Sequence, residues 1–180
     1  MNQKGFTLLE TMVAVAIVAV LVMVAVPNYL QQTANQRLKD DTTNIRGDLQ
    51  TARMVAMTMG VPVAVAFNAP AVSQYQAFLD DGRGGGTSVD NVWNGCERLI
   101  GIGGQIVVPV PPCAPANLPS GVIRTLGSGI TATTGLQPDV IAFAPSGRRS
   151  IPAQPPANVI LGNNFGSQRT ITITAIGEAQ

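Results

Sequence analysis

The chain has 180 residues, enough for one domain with an attached helix. Hydrophobic residues make up 46% and charged residues only 12%, well under the roughly 25% usual for soluble domains. Net charge is +1, and past residue 60 six arginines face six acids, which argues against broad electrostatic capture of nucleic acid. There is no histidine, so the commonest general base and zinc ligand is missing. Ser and Asp occur, but nothing in the sequence organises them into a nucleophile and base. No catalytic residue, metal site or cofactor is therefore expected, and the chain does not read as an enzyme.

Residues Met1 to Lys4 are polar, with one side-chain positive charge at Lys4. Gly5-Phe6-Thr7-Leu8-Leu9-Glu10 follows, then an uncharged apolar run from Thr11 to Val26. As a helix, the 21 residues from Phe6 to Val26 extend about 32 Å at ~1.5 Å per residue, matching a bilayer core of roughly 30 Å. Lys4 on the short flank predicts a cytoplasmic N-terminus. A secretory signal peptide and a plain signal anchor are the simpler readings. Neither accounts for Glu10, a carboxylate inside an apolar stretch, which is costly in lipid and usually functional.

Gly5 to Glu10, followed by the apolar run and Pro27, resembles the prepilin signature of type IV pilins and type II secretion pseudopilins. The resemblance implies cleavage between Gly5 and Phe6 by a membrane prepilin peptidase and N-methylation of Phe6. Glu10 then becomes the fifth mature residue. A glycine before the cut leaves room for close approach of a protease. Cleavage creates a positive amine at Phe6, and Glu10 of a neighbouring subunit can pair with it, offsetting the desolvation of both charges. The implied partners are other pilin or pseudopilin subunits, the peptidase, an inner-membrane assembly platform and membrane lipid. The implied location is the bacterial inner membrane with a periplasmic head, and then the pilus or pseudopilus.

Pro27 lacks the amide that continues a helix ladder, so a kink or local melting is expected there. Beyond it, Leu38, Ile45, Leu49, Ala52, Val55, Ala56 and Met59 recur at helical spacing. Arg37, Lys39, Asp40, Asp41, Asn44, Asp48 and Arg53 fill other faces, with Lys39-Asp40-Asp41 read as a solvated run. Gly60 and Pro62 predict the helix end. The organisation expected is a leader (1–5), a transmembrane or filament-core helix (6–27), an amphipathic helix (28–60) and a β-rich periplasmic head (61–180). The fold class is α+β: a long N-terminal helix packed on a small head of antiparallel sheets. Predicted strands are Val61–Phe67, Tyr75–Asp80, Gln105–Val110, Gly121–Leu126, Val140–Phe143 and Arg169–Ile176. In the last, alternation puts Ile171 and Ile173 on one face.

Cys96 and Cys113 are the only cysteines and do not form a C-x-x-C pattern. In an exported head two cysteines usually pair, and closing so short a loop contributes on the order of 3 kcal/mol. Trp93 is expected to pack beside that bond or to meet a partner subunit. Asp80 to Gly86 reads as a hairpin loop, with weak calcium binding the alternative, since EF-hand ligand spacing is missing.

The head most resembles the GspH/FimT type of minor pilin or pseudopilin. Leu49 to Val63, Ile141 to Arg148 with its Ser146-Gly147 turn, and Ile171 to Gly177 carry that likeness. It implies a subunit that initiates or caps a type IV pilus or a secretion pseudopilus. A major pilin is one alternative. A DNA-binding minor pilin for DNA uptake is another, with Arg148, Arg149 and Arg169 as phosphate contacts. The terminal Gly177-Glu178-Ala179-Gln180 lacks the arginines of the DNA-binding relatives.

Overall fold

The computed structural model describes residues 7–82, 90–93, 96–109, 118, 121–136, 139–151 and 156–180. One helix, α1 (Leu8–Met59), dominates the chain. Its 52 residues extend about 78 Å at ~1.5 Å per residue. Gly60 ends it in the left-handed conformation (φ 66°), its N–H donating to the Ala56 carbonyl, as a glycine cap does. The helix runs through Pro27 without interruption, so the expected melting there is not seen. Asn28 Nδ2 donates to the Val24 carbonyl beside it (3.3 Å).

The buried stripe of α1 is Leu38, Thr42, Ile45, Leu49, Ala52, Val55 and Ala56. Thr42 fills the gap in the expected apolar series, its hydroxyl donating to the Leu38 carbonyl at 2.6 Å. Met59, expected in the stripe, is exposed.

The stripe packs on two antiparallel sheets. The larger has the order β4-β3-β2-β1-β7-β8, with β5 also pairing with β2. Its strands are β1 (Val63–Phe67), β2 (Gln74–Leu79), β3 (Leu99–Ile100), β4 (Ile106–Val107), β5 (Ile123–Thr125), β7 (Val140–Phe143) and β8 (Arg149–Ile151). The smaller has the order β10-β9-β6, from β6 (Ile130–Thr133), β9 (Ala157–Asn163) and β10 (Gln168–Ile173). The predicted strands around β1, β2, β7 and β10 match most closely, while β3, β6, β8 and β9 were not expected. Ile171 and Ile173 do share a face, both fully buried.

Strand alternation divides the larger sheet between two cores. Val63, Val65, Phe67, Ile141 and Phe143 join the helix, Ala157, Val159, Leu161, Ile171 and Ile173 in one cluster. Ala64, Ala66, Val140 and Ala142 face the other way, onto Phe78, Leu99 and Val122. The central strands are buried on both faces, so they read as continuous apolar runs. Side chains join the two sheets where strands do not. Ser73 Oγ and Asn68 Nδ2 donate to the Ile130 and Ala132 carbonyls of β6 (3.0 and 3.2 Å). Arg149 Nη1 donates to the Ile173 carbonyl of β10 (2.9 Å).

Polar side chains flanking the stripe fasten the helix to the head. Asn163 Nδ2 donates to Asn35 Oδ1 (2.9 Å), and Gly127 N–H donates to Asp41 Oδ2 (2.8 Å). Asp48 accepts from the Tyr75 hydroxyl (2.7 Å) and from Arg124 (2.9 Å). Arg53 Nε donates to the Gly147 carbonyl (2.9 Å). Asp41, Asp48 and Arg53 are therefore docking residues, and of the run read as solvated, Asp41 is not: Asp41 and Asp48 each lie three residues past a buried position, on the edge of the stripe. Burial raises the Asp41 carboxyl above its ordinary range, the Gly127 N–H opposes that, and neighbouring Asp40 adds to it.

Burial also raises the Tyr75 hydroxyl, reinforced by the charge of Asp48 and the hydrogen bond to it. The native state thus holds this proton more tightly than the unfolded chain, whose tyrosine pKa is about 10. The Tyr75 contribution is intact below pH ~10 and is lost as pH rises above it. Tyr75→Phe is expected to cost about 1 kcal/mol at neutral pH and to flatten the alkaline fall in melting temperature.

Gly147 and Gly177 have positive φ (74° and 84°) where the Arg53 contact forms. A Cβ at Gly147 would overlap Met57 Sδ, and one at Gly177 would overlap the Gly147 carbonyl oxygen. Gly135, at φ 65° with nothing within 4 Å, isolates the backbone penalty. Gly135→Ala is expected to cost ~1 kcal/mol. Gly177→Ala is expected to cost about 3 kcal/mol, because backbone overlap is added. Equal melting temperatures for the two variants would contradict this packing.

Candidate assembly interface

The helix opens at Thr7, whose extended backbone (φ −80°, ψ 151°) makes it the N-cap. Its Oγ1 accepts from the Glu10 N–H at 3.3 Å. Leu8 and Leu9 fill the first two helical positions, so Glu10 occupies the acidic position of a capping box. A carboxylate there also faces the positive end of the helix dipole. The Thr-x-x-Glu spacing carried this local role in the sequence, and it was missed beside the assembly role. The Glu10 side chain is exposed and makes no ion pair among the described residues. Gly5 and Phe6, the expected cleavage and methylation positions, lie outside the described residues.

Every residue from Thr7 to Gln32 is exposed. Leu8, Leu9, Met12, Ile17, Leu21 and Met23 are among the large apolar side chains left uncovered, Leu8 at 77% and Met23 at 78% exposure. By length and composition this half of α1 suffices to cross a membrane. Its polar side chains fold back on the helix: Thr11 Oγ1 donates to the Leu8 carbonyl (2.8 Å) and Thr33 Oγ1 to the Tyr29 carbonyl (2.9 Å). Of these groups Thr11 lies within the apolar run, and it brings its own partner into a medium that supplies none.

The three arginines read as possible phosphate contacts do not form a site. Arg148 is exposed, but Arg149 is buried at 8% exposure and holds the Ile173 carbonyl. Arg149 is thus a structural link between sheets, and the adjacent-guanidinium reading fails on its burial. Arg169 is exposed at the start of β10. The Arg149 N–H bonds the Ala175 carbonyl beyond the other end of β10. Ala175 lies six positions past Arg169, roughly 20 Å of extended chain at ~3.3 Å per residue. Among the described residues, Arg148, Arg149 and Arg169 therefore do not converge on one surface.

Cys96 is disulfide-bonded; Cys113, the only other cysteine, lies outside the described residues. Trp93 is half-buried, packs against the second core and donates from its ring N–H to the Glu97 carbonyl (3.4 Å). Asp80, Asp90 and Glu97 bring carboxylate oxygens within 4.8 Å of one another, Asp80 and Glu97 fully buried. Asp80 accepts the Asn91 N–H (2.8 Å), and Asp81 pairs with Arg98. The loop between these acids lies in part outside the described residues.

The family model described as the prokaryotic N-terminal methylation motif matches residues 1–26. A fimbrial protein of Pseudomonas aeruginosa is 34% identical over 87 residues, which is 46% of this chain and 55% of that protein. The chain thus spans about half the length of the curated relatives it matches. Among solved structures, the type IV minor pilin FimU of Pseudomonas aeruginosa superposes with a TM-score of 0.51 at 14% identity, covering 82% of this chain and 90% of that one. The minor pseudopilin EpsH of the Vibrio cholerae type 2 secretion system has a TM-score of 0.48 at 11% identity, over 80% and 94% of the two chains. The chain thus carries a methylation motif at its N-terminus and shares a helix-on-sheet fold with FimU.

Proposed function

We propose that this chain is a minor pilin or pseudopilin, a non-enzymatic structural subunit that initiates or caps a type IV pilus or a type II secretion pseudopilus. The observation that carries this is the bare half of α1. A rigid apolar rod, uncovered from Leu8 to Leu30 and carrying a single carboxylate near its tip, is joined to a head fastened along the other half. Such a rod is stable only in lipid or against other apolar helices.

Prepilin peptidase cuts between Gly5 and Phe6 and the new amine is methylated. The subunit waits in the inner membrane with its head in the periplasm. Glu10 then pairs with the Phe6 amine of a neighbouring subunit, setting axial register as the assembly platform adds it. Cys96 pairs with Cys113, the other cysteine of the chain.

Mass analysis of the envelope-extracted chain is expected to find methylated Phe6 as the first residue. A chain that begins at Met1 in sheared filaments would overturn the processing step. Glu10→Ala is expected to insert into the membrane at least as well as the wild type, while its incorporation into filaments drops to background. Normal incorporation would rule out the pairing. The same filament analysis reads stoichiometry: a minor subunit is present far below the filament bulk, whereas parity would make the chain a major pilin.

A further inference from the structure

The β9–β10 turn has an unusual tip. Asn164-Phe165-Gly166-Ser167 closes the hairpin, and turn tips favour small polar residues. Phe165 is nevertheless at the tip and 49% exposed. It is also held in place. Asn163 Oδ1 accepts from the Phe165 and Ser167 N–H groups, each at 3.0 Å. The same side chain donates to Asn35 of α1, so one residue shapes the turn and ties it to the helix. Phe165, Asn164 and Gly129 line a groove with Leu30, Thr33, Ala34 and Arg37. This is the rim of the head where the helix emerges, since burial on α1 begins only at Thr33.

That rim can be placed against a bilayer. The apolar run ends at Val26. The six residues from Pro27 to Gln32 rise about 9 Å at ~1.5 Å per residue. The headgroup layer on one side is ~5–8 Å deep, from a core of ~30 Å and a full thickness of ~40–45 Å. A core boundary at Val26 therefore leaves Thr33, and the Phe165 turn beside it, at the outer edge of the headgroups. Exposed Tyr29 and Leu30 lie within that layer. Exposed aromatic rings at this depth are the composition of a membrane interface.

We propose that before assembly the head rests on the phospholipid surface through this rim, with Phe165 in the headgroup layer beside Tyr29 and Leu30. The proposal rests on the membrane-spanning reading of α1. Contact at two points, the helix and the turn, fixes the tilt of the head above the bilayer and presents the same face to each incoming subunit.

The test uses the full chain in phosphatidylethanolamine/phosphatidylglycerol vesicles, with a fraction of the lipid brominated high on the acyl chains. Phe165→Trp adds a second tryptophan at an exposed position, and the wild-type chain supplies the Trp93 signal to subtract. An unchanged melting temperature establishes that the variant is folded. The added emission is expected to be blue-shifted and quenched by the brominated lipid. A chain that floats with the vesicles but shows water-like, unquenched added emission overturns the proposal and leaves α1 spanning the membrane. A chain that fails to float overturns both.

Discussion

The burial of seven α1 side chains on two sheets at once is the contact on which the head depends. Leu38, Ile45 and Leu49 meet Val63, Val65 and Phe67 of one sheet and Val159, Leu161, Ile171 and Ile173 of the other within a single cluster. Each buried Leu or Ile contributes ~1.5–3 kcal/mol of apolar burial, and few backbone bonds connect the sheets directly. Without the helix, the apolar faces of both sheets would open to water together. The helix is thus a core element of the head for its second half and an uncovered rod for its first. The helix is continuous through Pro27 between the two.

The polar contacts at the edges of the stripe add register to that burial. Asn35, Asp41, Asp48 and Arg53 meet four separate points of the head. Sliding the helix by one turn, about 5.4 Å, would break all of these bonds while leaving apolar contact of a similar kind. Hydrophobic burial alone tolerates such slippage because it is non-directional. The distance from Glu10 to the head is therefore set, about 38 Å from Glu10 to Asn35 at ~1.5 Å per residue. A contact made at the tip of the rod then determines where the head lies.

The N-terminal half was legible because its information is local. The prepilin-like segment is contiguous, and the stripe from Leu38 to Ala56 follows one period. In the head, β1, β2, β7 and β10 were legible as apolar or alternating runs. β9 was not, since its sequence Ala-Asn-Val-Ile-Leu-Gly-Asn contains residues that usually mark turns. β3 is two residues long and is defined by pairing alone. The docking roles of Asp41 and Arg53 depend on partners 86 and 94 positions away, which no local pattern records. Arg149 was misread for the same reason: its burial follows from the Ile173 carbonyl, and beside exposed Arg148 it looks like half of a basic pair. The Thr7–Glu10 cap, by contrast, was present in the spacing.

The order of synthesis gives the stripe on α1 a further consequence. The helix is made first, whereas β9 and β10, which cover one side of it, are made roughly a hundred residues later. Contacts so distant in sequence form slowly, because loop closure must precede them. Between emergence of the helix and completion of β10, Leu38, Ile45 and Leu49 have no native cover from the smaller sheet. An incomplete chain in that interval exposes two adhesive surfaces, the rod and the stripe, of which lipid can shelter only the first. The nascent head is consequently most prone to aggregation just before its last strand arrives.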